Sequence, residues 1–358
     1  MPVRSTAILS MPPSDEAAAG SAARVLLVSD QNDWHARQMH KAYAARGVAT
    51  WRIDLADCGF ATESPTGLDL AELGSLLPDA VHVRTMSGGS FDAITKRLGV
   101  LHALPRLGVL VWNDAQAIER CVDKSMTSFL LARAGLPTPP TWTVESQAHA
   151  RSLVERESSQ GPLVLKPLFG AQGKGLRLIR NADDLPSPEK VGGVYYLQRF
   201  LPSAAQEFRD FRVLVTRGRV VAAMMRTHSS WITNIKQGGK PAAVVPDAAM
   251  AQLAVRAAEA VGAAIAGVDI LIGADGERSV LEVNSMPAWS GLQKVTAGNI
   301  AGVIADSLID ELASWDRNRT ASRRFCPKRR RKRSSPRALP SSKPRRRATF
   351  IALRRATA

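Results

Sequence analysis

The chain has 358 residues, 45% of them apolar and 22% charged, which is enough for two or three domains with sizeable cores, and no apolar run approaches the ~20 residues of a membrane-spanning helix. Its net charge of +16 sits at one end: residues 317–358 hold seventeen Lys and Arg and no Asp or Glu, which leaves residues 1–316 at −1. A near-neutral body excludes the usual electrostatic footprint of a nucleic-acid-binding fold.

Residues 1–22, rich in Ala, Pro and Ser, predict a disordered N-terminus without the basic start and apolar stretch of a signal peptide. Residues 24–28 read as a buried strand, 34–46 as a helix closed by Gly47, 48–53 and 80–84 as strands, 91–107 as a helix and 109–112 as a strand. This rhythm predicts a parallel sheet in a small α/β domain over 23–113, and it lacks the G-x-G-x-x-G fingerprint of dinucleotide binders. A helix over 115–134 stops at Gly135, with Pro137, Pro139 and Pro140 beyond it. Strands follow at 141–144, 161–166 and 175–179. Those at 194–200, 211–216 and 220–227 continue an antiparallel pattern, with Arg217-Gly218 as a hairpin turn. An Ala-rich helix covers 250–261, strands at 268–272 and 279–283 flank the turn Ala274-Asp275-Gly276, and 291–314 is helical. The basic stretch 316–358 reads as a disordered tail. The isolated Cys58, Cys121 and Cys326 form no C-x-x-C pair and read as the reduced thiols of a cytoplasmic protein.

Three stretches carry chemistry. Leu165-Lys166-Pro167 ends a strand and runs into Phe169-Gly170-Ala171-Gln172-Gly173-Lys174-Gly175. Glycines let backbone amides approach phosphate oxygens, and a lysine ending the strand can reach them too; the spacing is not that of a P-loop. Asp269 lies in the apolar strand Gly267-Val268-Asp269-Ile270, and Glu282 lies in Leu281-Glu282-Val283-Asn284. A carboxylate in an apolar strand costs several kcal/mol unless it is paired or bound to metal. Glu282 and Asn284 share a face by the period of two, and the hairpin places Asp269 beside them. These are hard oxygen ligands for a divalent cation bridging ATP phosphates; the competing reading of the same carboxylates is a buried ion-pair network with arginine. Arg209, Asp210, Arg212 and Arg226 lie on or before adjacent strands. Arginine suits developing phosphoryl charge because its fork is planar and always ionised. Lys124 on its own reads as a surface lysine. His35 and His40, five apart, miss the spacing of a helical metal pair, and Trp231 and Trp289 are loop aromatics that either pack or stack on a ring.

Residues ~110–315 resemble the ATP-grasp fold, and within it the RimK-like carboxylate–amine ligases. The matching pieces are Asp123-Lys124-Ser125, Val164-Leu165-Lys166-Pro167, Gly170 to Gly175, Gln198-Arg199-Phe200-Leu201, Asp210-Phe211-Arg212, Val220 to Ala223 with Arg226, Asn234 followed by Gly238-Gly239, Ala266 to Leu271, and Glu282 to Pro287. The resemblance implies an α+β ATP-grasp architecture in which a small parallel α/β domain precedes two lobes, 114–197 with the glycine-rich loop and 198–315 with the metal site, and ATP lies between them. It also implies residue roles. Lys124, Lys166 and the loop Gly170, Gln172, Gly173, Lys174 and Gly175 contact phosphates. Gln198, Arg199, Phe200 and Leu201 form the adenine hinge, with Asp210 near the ribose. Asp269, Glu282 and Asn284 hold two Mg2+ or Mn2+ ions, and Arg212, Arg226 and Asn234 face the transferring phosphoryl group. Two departures stand out: Arg199 replaces a commonly acidic hinge residue, and 227–237 lacks an arginine that relatives often carry.

The implied activity is ligation through an acyl phosphate, with an amino acid such as glutamate added to a cofactor acid or a peptide C-terminus, by a cytoplasmic homo-oligomer without membrane contact. Asn32-Asp33-Trp34-His35 and Arg84-Thr85-Met86-Ser87-Gly88-Gly89 resemble RimK-like proteins that elongate tetrahydromethanopterin. The alternatives are a nucleic-acid-binding protein that uses the basic tail and an ATP-grasp kinase that forms ADP without an amine.

Overall fold

The computed structural model describes residues 23–325 except Ser75, 171–172 and 203–206, with side chains as far as residue 317. Residues 1–22 and 326–358, expected to be disordered and including Cys326, lie outside the described residues, whereas 316–325, expected to belong to the disordered tail, continue a helix. The chain divides into two compact units, one ending at Asp316 and the other beginning at Arg317; the described residues of the second are helical. Among the described residues no helix is long and apolar enough to cross a membrane.

The first unit begins with Arg24–Val28 (β1), Trp34–Ala44 (α1), Ala49–Ile53 (β2), the short pair Gly59–Phe60 (β3) and Leu68–Asp69 (β4), Ala80–Val83 (β5), Phe91–Arg106 (α2) and Leu110–Trp112 (β6). The predicted parallel sheet is present, in the order β2-β1-β5-β6. Residues 25–28 and strand β6 are continuous apolar runs and β5 is interrupted only by His82, because both faces are covered; the edge strand β2 carries Thr50 and Arg52 and is half-buried. Leu26, Val28, Val81 and Val83 pack with Val100, Leu101 and Leu104 of α2, while Val25, Leu27 and Ala80 pack with Met39 and Tyr43 of α1. Asp33 and Ser90 start the two helices by accepting the amides of Ala36 and Ala93.

The predicted helix over 115–134 is two helices, Ala115–Val122 (α3) and Lys124–Arg133 (α4). Asp123 between them is extended (φ −81°, ψ 103°), and its carboxylate accepts the amides of Ser125 and Met126 as an N-cap. The break makes Lys124 the first residue of a new helix and turns it toward the glycine-rich loop.

Thr141–Val144 (β7), Gln147–Glu157 (α5), Leu163–Lys166 (β8), Arg177–Ile179 (β9) and Tyr195–Arg199 (β10) build an antiparallel sheet in the order β7-β10-β8-β9. Thus β10 does not join 211–216 and 220–227. Those belong to a third, antiparallel sheet of Phe208–Thr216 (β11), Arg219–His228 (β12), Lys240–Val244 (β13), Ile265–Ile272 (β14) and Arg278–Asn284 (β15), in the order β13-β12-β11-β14-β15. The predicted turn joins β11 to β12, with positive φ at Arg217 (46°) and Gly218 (68°). The unpredicted β13 contains Pro241 and is an edge strand, where a missing N–H is tolerated.

One face of the third sheet packs on Ala248–Val261 (α6) through Val213, Val215, Ala266, Val268, Ile270, Val280 and Val283. The other face is divided along its strands. Leu214, Ala222, Met224 and Ile265 join the N-terminal core with Ile304 and Leu308 of the last helix, which follows Ser290–Gln293 (α7) and runs over Ile300–Phe325 (α8). Farther along the same face stand Asp210, Arg212, Arg226 and Asp269, in register on paired strands.

Candidate active site

A cleft lies between the second and third sheets. Of the residues singled out in the sequence, Lys124, Lys166, Gly170, Gly173, Lys174, Gln198, Arg199, Phe200, Leu201, Asp210, Arg226, Asn234, Asp269 and Glu282 line it. Gly175 and Arg212 stand outside its lining, Asn284 faces an adjoining chamber, and Gln172 lies outside the described residues. Pro167, Arg209 and Trp231, also singled out in the sequence, line it with Thr233, and so do Val164, Leu176, Phe208, Ile232, Leu271 and Leu281. The last five of these, being apolar, carried no chemical signal in the sequence.

The glycines act by proximity. A Cβ on Gly173 (φ 71°) would stand 2.6 Å from Asn234 Oδ1 and 2.8 Å from Ile232 Cγ2, so the loop from one sheet rests on the 232–234 segment of the other. Gly175 (φ 74°) instead turns the chain beneath Pro167, whose Cγ would be 2.9 Å from a Cβ. The Lys124 Nζ donates to the carbonyls of Leu168 (3.1 Å) and Gly170 (2.8 Å), holding the start of the loop. Lys166 donates to Gln198 Oε1 at 2.6 Å. Burial lowers the pKa of both lysines, with the charge of Glu282 opposing it.

Alternation along β10 explains Arg199. Gln198 meets Lys166 at the cleft, whereas the Arg199 guanidinium donates to Glu157 Oε2 (2.7 Å) and to the carbonyls of Glu157 and Gly161 (2.9 Å each) and sits 5.6 Å from the Trp142 ring centroid. Its charge is therefore spent on α5. Phe200, Phe208 and Trp231 meet edge to face, with centroids 6.0–6.5 Å apart, as an aromatic wall. Trp289, the other loop tryptophan, is 2% exposed and belongs to the core, packed on Trp34 and His35.

On the third sheet Asp269 pairs directly with Glu282, and the next pair is Ile270 with Val280. Leu281 is the extra residue of a β-bulge, which lets the consecutive Leu281 and Glu282 both reach the cleft. The Asn284 amide donates to Gly267 O (3.3 Å) and Glu282 Oε1 (3.2 Å), leaving its own oxygen as an acceptor. The ion-pair network weighed as a competing reading is also present. Arg212 grips both oxygens of Asp269, while Arg226 grips both of Asp210 (2.7 and 2.5 Å) and stands 3.2 Å from Asp269. Burial raises the pKa of Asp210 despite Arg226. Burial also acts to raise Asp269, but Arg212 and Arg226 outweigh it and hold that carboxyl below the usual range. Arg226 loses by burial and gains more from Asp269 and Asp210, so its pKa is raised.

The adjoining chamber, about 490 Å³, shares Lys124, Gly170, Leu281 and Glu282 with the cleft and is walled by Met86, Met286, Ser128 and Tyr196. Burial pushes the thiol of Cys121, on its wall, up to about 12 and that of Cys58 up to about 11, so neither is a nucleophile at neutral pH.

Residues 121–308, more than half the chain, match the RimK-like ATP-grasp domain. The chain belongs to this family. The RimK-like chain is 29% identical to the tetrahydromethanopterin:alpha-L-glutamate ligase of Methanosarcina acetivorans, over 79% of this chain and 97% of that protein. It is 33% identical to the enzyme of the same name from Methanocaldococcus jannaschii, over 66% and 81%. Solved structures share the fold. The ATP-grasp ligase PsnB with its minimal precursor aligns with a TM-score of 0.64 at 22% identity, over 81% of this chain and 99% of that one. The RimK domain protein of Sphaerobacter thermophilus gives 0.59 at 21%, over 80% and 100%. The chain is thus an ATP-grasp ligase of the carboxylate–amine type. ATP and Mg2+ go with this fold, and PsnB has also been solved with Mg and ADP.

Proposed function

We propose that this RimK-like ligase activates a substrate carboxylate as an acyl phosphate and joins it to the amine of glutamate, the acid being the carboxylate end of a tetrahydromethanopterin-type cofactor. The observation that carries the reading is the direct pairing of Asp269 with Glu282 in a cleft that also contains Lys124, Lys166 and the glycine loop, in a chain whose relatives bear the name of glutamate ligases of that cofactor.

Lys124, Lys166, Lys174 and the amides about Gly170 and Gly173 meet the phosphates, with Gln172 and Gly175 shaping the loop. Because the Arg199 side chain is turned to Glu157, the adenine edge is left to Gln198 and to backbone groups of 199–201, with Phe200 and Trp231 beside the ring. Asp210 gives both oxygens to Arg226; we assign it first to holding that guanidinium, with its remaining lone pairs open to the ribose. Arg226 and Asn234 face the transferring phosphoryl group, and Arg212 orients Asp269.

Two carboxylates and an amide oxygen on paired strands are a hard donor set that fits Mg2+ or Mn2+. Among the described residues no cluster of three His, Cys, Asp or Glu offers a rival. Asp269, Glu282 and Asn284 would hold two such ions, which when bound neutralise charge on the phosphoryl oxygens. The contact of Gly173 with Ile232 and Asn234 closes the cleft over the acyl phosphate and keeps water from it.

The test is ADP release with a pterin-type acid, with and without glutamate, followed by the mass of the product. Wild type gives glutamate-dependent ADP and a product heavier by one glutamyl unit per turnover, and Glu282→Gln gives neither. Full activity in that variant refutes the metal assignment. ADP release without glutamate, with a product heavier by one phosphoryl group, turns the reading to a kinase.

A further inference from the structure

The loop leaving the candidate metal strand is held by the N-terminal sheet. β15 is the edge strand of its sheet and ends at Asn284. Over the next six residues three buried side chains grip the backbone. Asn113, after β6, donates to Ser285 O (2.6 Å) and Ile265 O (2.7 Å). Arg84, after β5, donates to Met286 O at 3.4 Å. His35, in the first turn of α1, presents Nε2 to the amides of Trp289 and Ser290, 3.1 Å from each. His35 is 7% exposed, Arg84 6% and Asn113 0%.

The geometry fixes the tautomer of His35. Two N–H groups converge on Nε2, so that nitrogen must offer its lone pair. The single ring proton is then on Nδ1, donated to Asp33 Oδ2 at 3.0 Å. Asp33 in turn caps α1 through Oδ1. A second proton would set an N–H against two N–H groups. The charged groups facing the ring are Asp33 from its own turn, Arg84 from the end of β5 and Lys236 from the 235–237 turn; the rings of Trp34 and Trp289 stand edge-on at 5.0 Å. Burial, then Arg84 and Lys236, lowers its pKa against Asp33, which keeps the imidazole neutral.

We propose that neutral His35 is a positioning residue for the ligase reaction: by anchoring Trp289 and Ser290 it fixes the direction in which the chain leaves Glu282 and Asn284, so that the metal ligands are pre-set from the N-terminal sheet. The proposal rests on the reading of Glu282 and Asn284 as ligands. Residues that orient metal ligands from outside contribute about 10–100-fold to metal affinity or activity.

The test compares His35→Ala, His35→Gln and Glu282→Gln in the full chain. Glutamine can place Oε1 where Nε2 accepts, and it does not titrate. In His35→Ala the Mg2+ concentration for half-maximal activity rises by about 10–100-fold, kcat at saturating Mg2+ changes little, and the Trp289 and Ser290 amides exchange hydrogen faster. In His35→Gln both readouts stay near wild type, and the loss of activity expected of wild type in acid, as Nε2 takes its proton, moves to lower pH. If His35→Ala retains wild-type Mg2+ dependence and amide protection while Glu282→Gln is inactive, the positioning role falls alone. If Glu282→Gln is fully active, the metal reading falls and takes the positioning role with it. If His35→Gln is as impaired as His35→Ala, the accepting-atom argument is wrong.

Discussion

Arg226 is where the buried charge of the cleft is most easily unbalanced. It is 4% exposed, binds both oxygens of Asp210 and lies 3.2 Å from Asp269. Arg226→Met keeps most of the volume and removes the cation. Asp269 retains Arg212, so the carboxylate left without a cation is Asp210, itself 5% exposed. Breaking a buried pair from one side costs about 3–5 kcal/mol, a large part of the roughly 5–15 kcal/mol that holds a domain together. Burial already raises the pKa of Asp210, and without Arg226 it rises further. A carboxyl raised in the fold is neutral at low pH and contributes its penalty as pH rises through the folded value. The deficit is therefore greatest at neutral pH and shrinks on acidification. Arg226→Met with Asp210→Asn removes the stranded charge and recovers most of the loss. Urea unfolding followed by tryptophan fluorescence at pH 7 and 5 measures all three proteins. A single variant within about 1 kcal/mol of wild type at pH 7, or a double variant no better than the single, refutes the reasoning.

His82 is 3% exposed and bonds Tyr43 Oη through Nδ1 at 2.9 Å; burial, then Arg84, pushes its pKa to about 3. It stays neutral in the fold and gains a proton on unfolding below about 6.5, so it withdraws about 1.4 kcal/mol of stability per pH unit between 6.5 and 3; His82→Asn lessens that slope in unfolding titrations. Gly173→Ala drives a Cβ into Asn234 and Ile232 at positive φ, so kcat falls by about 100-fold, the scale of a 1 Å misplacement, while stability falls by about 1–3 kcal/mol; an active variant with unchanged ATP KM counts against the closed contact. Arg199→Met leaves the ATP KM unchanged and costs about 1–3 kcal/mol through the lost charged hydrogen bonds to α5, and the reverse pattern places its side chain at the nucleotide after all.

What was legible followed from local chemistry. Asp269 and Glu282 stood out because a charge in an apolar strand demands a partner, and the parallel sheet followed from alternating strands and helices. What was hidden depended on partners distant in sequence. Arg199 finds Glu157 across 42 residues, and Arg212 finds Asp269 across 57, so neither ion pair was visible along the sequence. The split of α3 from α4 was written in Asp123, a capping residue, which the reading of one helix over 115–134 passed over. Trp231 and Trp289 sit in similar loops, and only packing sends one to the cleft and the other to the core.

The bulge at Leu281 serves the shape of the cleft rather than the aim of Glu282. Removing that one residue would restore regular pairing with β14 and still leave Val280 on the α6 face and Glu282 opposite Asp269, because those two pairs already flank the bulge. The loss would fall on the walls: Leu281 lines both the cleft and the adjoining chamber. A chain one residue shorter here would keep its carboxylate pair and give up an apolar surface shared by two cavities.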